Sequence, residues 1–278
     1  TNNSIDGEKN YLYTGSSNNN NALFGGFCWK IIRANTLGNI RMIYNGTPTD
    51  GNCSTLNDTT VFINSSVFND SSNYNAYVGY MYGSPNSTTY EDEHKNTNSS
   101  KIKTILEEWY ATNLLKYSDY IEDAIYCNNR KTYEFTINNV KYSTLGYGNL
   151  NTGYLSKYND GIKEKPSLDC TNVNDRFTVS KKLNTYPIGL ITADEAMFIG
   201  NKETTSTTTY LDNNNAYWTM TPAYFNGTNA YNYVIKGNNL KTLSTSTSAG
   251  VRPVITIKNS VKLLGGNGSE STPYIITK

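Results

Sequence analysis

The sequence predicts one α+β domain made mainly of short β-strands, with two or three helices and long loops. Three observations predict it. Apolar residues fall in short alternating or continuous runs bounded by Gly, Asn, Ser and Pro, which is the pattern of strands joined by turns. Helical spacing is sustained best in one segment, near residue 100. Four cysteines stand at wide, irregular intervals, as staples across a loop-rich chain would. A chain of 278 residues suits one large domain with a sizeable core.

Residues 1–22 are polar, with the run Asn18 to Asn21 near their end, and read as a turn or loose N-terminal arm before a domain spanning 23–278. The stretch Phe24 to Arg33 then reads as a buried strand, Asn35 to Gly38 as a turn, and Ile40 to Tyr44 as the returning partner. Residues 45–100 are dominated by Asn, Ser, Thr and Gly. Short pieces such as Val61-Phe62-Ile63 and Ala76 to Tyr82 interrupt them, so irregular loops pinned by Tyr and Phe are expected.

Ser99 or Ser100 caps the strongest helix. Ile102, Ile105, Leu106, Trp109 and Leu114 form its apolar stripe, and Lys103 and Glu107 make an i,i+4 pair on the outer face. A short second helix is expected from Ser118 to about Ile125. A third starts at the capping box Thr192-Ala193-Asp194-Glu195 and stops at Gly200. The last third reads as β: Tyr217 to Thr221, Tyr231 to Ile235, Val251 to Ile257, a turn at Gly265 to Gly268, and a closing strand at Pro273 to Ile276. Trp29 and Trp218 lie inside apolar strand segments and are expected in the core.

Hydrophobic residues make up 37% and charged residues 17%, and 24 Tyr compensate for the modest apolar share. The net charge of +1, with no dense Lys/Arg cluster, argues against a nucleic-acid partner. No apolar run approaches the roughly 20 residues of a membrane span. With no initiator Met and no signal peptide, the chain reads as processed or excised.

The cysteines are Cys28, Cys53, Cys127 and Cys170. No CxxC pair exists and His94 is the one histidine, which disfavours zinc and favours two disulfides. Of three possible pairings, the sequential one, Cys28–Cys53 and Cys127–Cys170, is favoured. Its loops would stabilise by roughly 3.5 and roughly 4 kcal/mol in the chain-entropy model. Disulfides place the domain outside the cytoplasm, at the cell surface or beyond.

Catalytic chemistry is thin, and the chain is expected not to be an enzyme. His94 sits in Glu91-Asp92-Glu93-His94-Lys95 and reads as a solvated loop histidine. The carboxylate pairs Glu107-Glu108 and Asp194-Glu195 read as a helix surface and a helix start, not as a glycosidase dyad. No phosphate-binding glycine loop opens a helix, and no cofactor is expected. Asp212 to Asn215 and the Asp/Asn-rich stretch 57–70 could offer oxygens to calcium, but their spacing is not an EF-hand and they read as turn formers, so no metal is assigned.

The segment Tyr217-Trp218-Thr219-Met220-Thr221-Pro222, a variable Tyr/Asn-rich stretch and Gly250-Val251-Arg252-Pro253-Val254 together resemble the "WW-x-R-S-P … G-V-R-P" pattern of uncharacterised bacterial surface domains with a C-type lectin-like fold. Trp29-Lys30-Ile31-Ile32 resembles the "W-R-I-I" strand that opens those domains, and Thr192 to Gly200 resembles their mid-domain helix. Thr219-Met220 stands where "L-R" is usual. The fold is shared with formylglycine-generating enzymes and with variable proteins of diversity-generating retroelements. The resemblance implies paired first and last strands, Trp29 and Val254 in one sheet, and Arg252 bonding backbone carbonyls. It does not imply formylglycine-generating activity, because no cysteine follows Cys170, nor a calcium–sugar mode, because the lectin triplets are missing.

What remains is display. Residues 223–247 alternate Tyr, Asn, Ser, Thr and Gly, the chemistry of an adaptable recognition surface. The expected contact residues are Tyr224, Phe225, Asn226, Tyr231, Tyr233, Asn238 and Asn239, with about half facing inward. The leading expectation is an adhesin-like binding domain of a bacterial surface protein, whose partner is a protein, a glycan or copies of itself. The alternatives are a subunit of an extracellular filament or pilus and a phage receptor-binding domain.

Overall fold

The computed structural model describes residues 2–3, 8–16, 18–54, 58–87, 89–131, 134–137, 139–143, 166–203 and 207–276. The expected α+β class holds at that level: many short strands in open sheets, with few helices among the described residues. The strand Phe27–Asn35 is the hub of a seven-stranded sheet. It pairs antiparallel with Asn21–Phe24, Lys9–Leu12 and Ile40–Tyr44, and Ile40–Tyr44 pairs with Val254–Ile257. Tyr274–Ile275 runs parallel to Ala22–Leu23, so the chain's late strands close on its early ones, and Trp29 and Val254 share this sheet. Part of the polar segment 1–22 is therefore not a loose arm. Lys9–Leu12 is a strand, and Asn20 and Asn21 are fully buried, their amides occupied by backbone carbonyls.

A five-stranded sheet holds the C-terminal third, in the order Asn239–Ser244, Ala230–Gly237, Asn213–Phe225, Ala249–Val251, Asn64–Ser66. The expected single strand Val251 to Ile257 is two. Ala249–Val251 belongs to this sheet and Val254–Ile257 to the other. The break falls at Arg252-Pro253, where proline has no N–H to continue a ladder. Arg252 is buried there, donating from Nε to the Tyr44 carbonyl and from Nη2 to Asn45 Oδ1, with its guanidinium 4.9 Å from the Tyr217 ring centre. It ties the two sheets together at the crossover.

One hydrophobic cluster runs from Ala22 to Ile276 and includes Trp29 and Trp218, both fully buried. Each indole N–H finds a carbonyl: Trp29 Nε1 donates to Phe24 O and Trp218 Nε1 to Ser66 O. The helix Lys101–Asn113 is capped by Ser100 and buries Ile102, Leu106 and Tyr110. The Lys103–Glu107 pair forms at 2.7 Å, but Lys103 is buried instead of facing outward, and Glu107 also accepts from the Thr185 amide and hydroxyl. The Thr192 capping box is present, and Ala193–Ile199 ends at Gly200.

Two further expectations are corrected. No α-helix spans Ser118 to Ile125. Leu115–Tyr120 is 3₁₀, and Ile121 and Glu122 then bond to the Val254–Ile257 strand, a sheet partner that outcompetes helical i→i−4 bonds. His94 is not a solvated loop residue. Thr89 caps the one-turn helix Tyr90–His94, which leaves Glu91 and Asp92 outside and turns Glu93 and His94 inward, 2% and 3% exposed.

Both sequential disulfides are present, Cys28–Cys53 with Cα atoms 5.5 Å apart and Cys127–Cys170 at 5.9 Å. Such bonds are typical of extracellular proteins. Among the described residues no helix is long and apolar enough to cross a membrane.

Candidate binding site

The strand Asn213–Phe225 is irregular against its partner Ala230–Gly237, with register shifts flanking Pro222. These shifts bend the hairpin toward a tip built by Asn226. Its Oδ1 accepts from the amides of Thr228 and Asn229, its own N–H donates to Asn229 O, and Gly227 takes the positive φ the turn needs. Below the tip, Tyr224 and Tyr231 sit opposite each other and stack, with ring centres 4.7 Å apart at 24°. Both are half-buried, and Thr228 is exposed.

The seven expected contact residues do not form one patch. Tyr233 is fully buried and Phe225 nearly so, packed with Val78 and Ala230, so neither reaches a partner. Tyr224, Asn226 and Tyr231 lie at one end of the hairpin. Asn238 and Asn239 lie at the other, about 23 Å along the strand from Tyr231, where Asn238 O accepts from Asn201.

A second segment reaches the tip. Ala230 N–H donates to Ser72 O, Ser72 Oγ bonds Asn229 Oδ1, and Tyr77 packs on Phe225, Val78 and Ala230. Tyr74, Tyr77 and Tyr82 form a chain of half-buried rings with centre distances of 6.3 and 5.3 Å. Sequence reasoning placed these tyrosines among loop-pinning residues. Their spacing in a Tyr/Asn-rich stretch was visible, but only the fold joins residues 72–82 to the 224–231 tip.

A pocket lies elsewhere, between the Phe27–Asn35/Ile40–Tyr44 hairpin, residues 122–129 and the start of the Ala193–Ile199 helix. It has a volume of about 220 Å³. Arg33 and Arg41 converge there on Glu195 at 3.0 and 2.8 Å. Burial pushes the Glu195 carboxyl up, but the two guanidiniums and the Thr192 amide outweigh it and hold the group below the usual carboxylate value. Glu195 is thus a saturated anion and a poor proton donor. Asp194 diverges from it and accepts the Ser167 amide, and Asp123 accepts the amides of Val179 and Ser180. The expected turn role of Asp212 also holds: its carboxylate accepts from Thr209 and Asn201. No group of three or more His, Cys, Asp or Glu among the described residues is placed to hold a metal ion.

The remaining titratable cluster is buried. Asp175 Oδ1 meets His94 Nε2 at 2.8 Å and accepts from Arg130 Nε at 2.6 Å. Glu93, beside His94 in sequence, is pushed by burial from 4.5 to about 7, and its Oε2 has no hydrogen-bond donor. A carboxyl raised in the folded state costs stability as pH rises from its unfolded value through its folded one. The stability of Glu93→Gln relative to wild type should therefore grow from pH 5 to pH 8, by about 1–3 kcal/mol. Urea denaturation at the two pH values checks this, and parallel curves would show that Glu93 ionises freely.

Comparison with family models, with curated proteins and with solved structures finds no match for this chain.

Proposed function

We propose that this chain is an extracellular binding domain of a bacterial surface protein, with a C-type lectin-like fold and no catalytic role of its own. The reading rests on one observation: a two-sheet scaffold carries the 224–231 tip, with stacked, half-exposed Tyr224 and Tyr231 beside Asn226 and Thr228. Rigid aromatics supply contact area at low entropic cost, and small polar neighbours supply hydrogen bonds. The tyrosine chain 74–82 enlarges the surface. The disulfides support the extracellular setting.

The test uses purified wild type, Tyr231→Ala and Asn226→Ala on arrayed glycans and on surfaces coated with extracellular proteins, with thermal melting as the folding control. Each folded variant is expected to lose about tenfold or more in affinity for whatever wild type captures. Undiminished capture by both variants would move the site away from the tip. Concentration-dependent association of wild type alone, abolished by the same variants, would assign the tip to contacts between copies.

A further inference from the structure

A charged amine lies deep in the first sheet. Lys30 is fully buried on the central strand, where burial pushes its ammonium down to about 8 against the opposing pull of Glu270. Directly across from it stands Asn21, also fully buried. The pair occupies a non-hydrogen-bonded position of the antiparallel ladder: Ile31 N–H donates to Asn20 O one step along, and Asn21 N–H points the other way, to Gly268 O. At such positions facing side chains are at their closest, with Cα atoms about 4.5 Å apart. The Asn21 amide is fixed. Its Nδ2 donates to Asn18 O and Gly268 O, and its Oδ1 has no donor. Cys28 lies two residues from Lys30 on the same face. Its disulfide partner Cys53 donates its amide to Glu270 O, which holds the 268–270 segment over the pair.

We infer that Lys30 and Asn21 are the partners of an intramolecular amide bond, formed spontaneously across the Asn21–Phe24/Phe27–Asn35 hairpin. The neutral Lys30 Nζ attacks Asn21 Cγ. The Nζ–Cγ bond forms and the Cγ–Nδ2 bond breaks. One Nζ proton passes to Nδ2, which leaves as ammonia. No oxidant, metal or cofactor enters the balance. A buried pair favours the reaction, because burial increases the neutral fraction of the amine and excludes competing water. The product would lock the hairpin beside the Cys28–Cys53 staple.

Intact-mass spectrometry of the purified wild-type chain decides it. The expected mass is the sequence mass less four hydrogens for the disulfides and less one ammonia, with the Lys30–Ile31 bond resistant to trypsin and a linked peptide containing both residues. Asn21→Ala and Lys30→Met are expected to show no ammonia loss. A wild-type mass lacking only the four hydrogens overturns the inference, whether or not the variants fold. Ammonia loss that persists in Lys30→Met overturns it as well, because the lost group would then come from elsewhere.

Discussion

Asp175→Ala is expected to cost about 3–5 kcal/mol, because it leaves a guanidinium buried without its counter-charge. Arg130 is fully buried, and its main chain and Nε both bond the Asp175 carboxylate, while its remaining donors reach Met81 O, Asn96 Oδ1 and Asn174 O. Three segments meet there: the 81–98 stretch, residues 127–130 and the 170–177 strand connection next to the Cys127–Cys170 bond. The carboxylate also has a pH signature. Burial raises Asp175, but His94 and Arg130 outweigh burial and hold it below its ordinary value. A depressed carboxylate contributes stability above its unfolded value that is lost as pH falls through the folded one. Wild type should therefore lose this contribution below about pH 4, and Asp175→Ala should show no matching loss. Urea denaturation across that range measures both effects. A change under 1 kcal/mol at neutral pH would mean that Arg130 is satisfied without Asp175.

Trp29→Ala and Trp218→Ala are each expected to cost about 3–5 kcal/mol. Trp29 packs edge-on to Tyr44 and Trp109, with ring centres 5.7 and 6.4 Å away, at the junction of the first sheet and the long helix. Trp218 packs edge-on to Phe68 at 5.5 Å, in the second sheet. Each truncation also removes an indole donor and strands a buried carbonyl. Two sites in separate sheets with separate partners should add, within the usual few tenths of a kcal/mol. Thermal or urea unfolding tests this. Losses near 1 kcal/mol would show that the surrounding rings collapse into the space.

Much of the scaffold was legible because its signals are local. The Thr192 capping box, the cap at Ser99 or Ser100 and the 27–44 hairpin each follow from short spacing rules, and the sequential disulfide pairing was the favoured one of three. The split of the Val251 to Ile257 strand follows from Pro253, but three other misreadings share one cause, which is a long-range partner overriding a local preference. His94 looks solvated until Asp175, 81 residues away, is placed beside it. Ile121 looks helical until Ile257 bridges it. The polar stretch 18–21 looks loose until Ile31 and Gly268 supply carbonyls for its amides. At the candidate site, strand alternation led to the expectation that about half of the seven residues face inward, and two of them, Phe225 and Tyr233, are buried. It did not show that the hairpin separates Asn238 and Asn239 from Tyr231, or that residues 72–82 complete the tip.

Amide hydrogen exchange of the wild-type chain, free and bound to the surface it captures most tightly from the glycan and protein arrays, tests the central proposal most directly. New protection is expected at residues 224–231 and 72–82, with the pocket around Arg33, Arg41 and Glu195 unchanged. A chain that captures none of these surfaces, or whose new protection leaves 224–231 untouched, would contradict a binding domain that works through this hairpin tip.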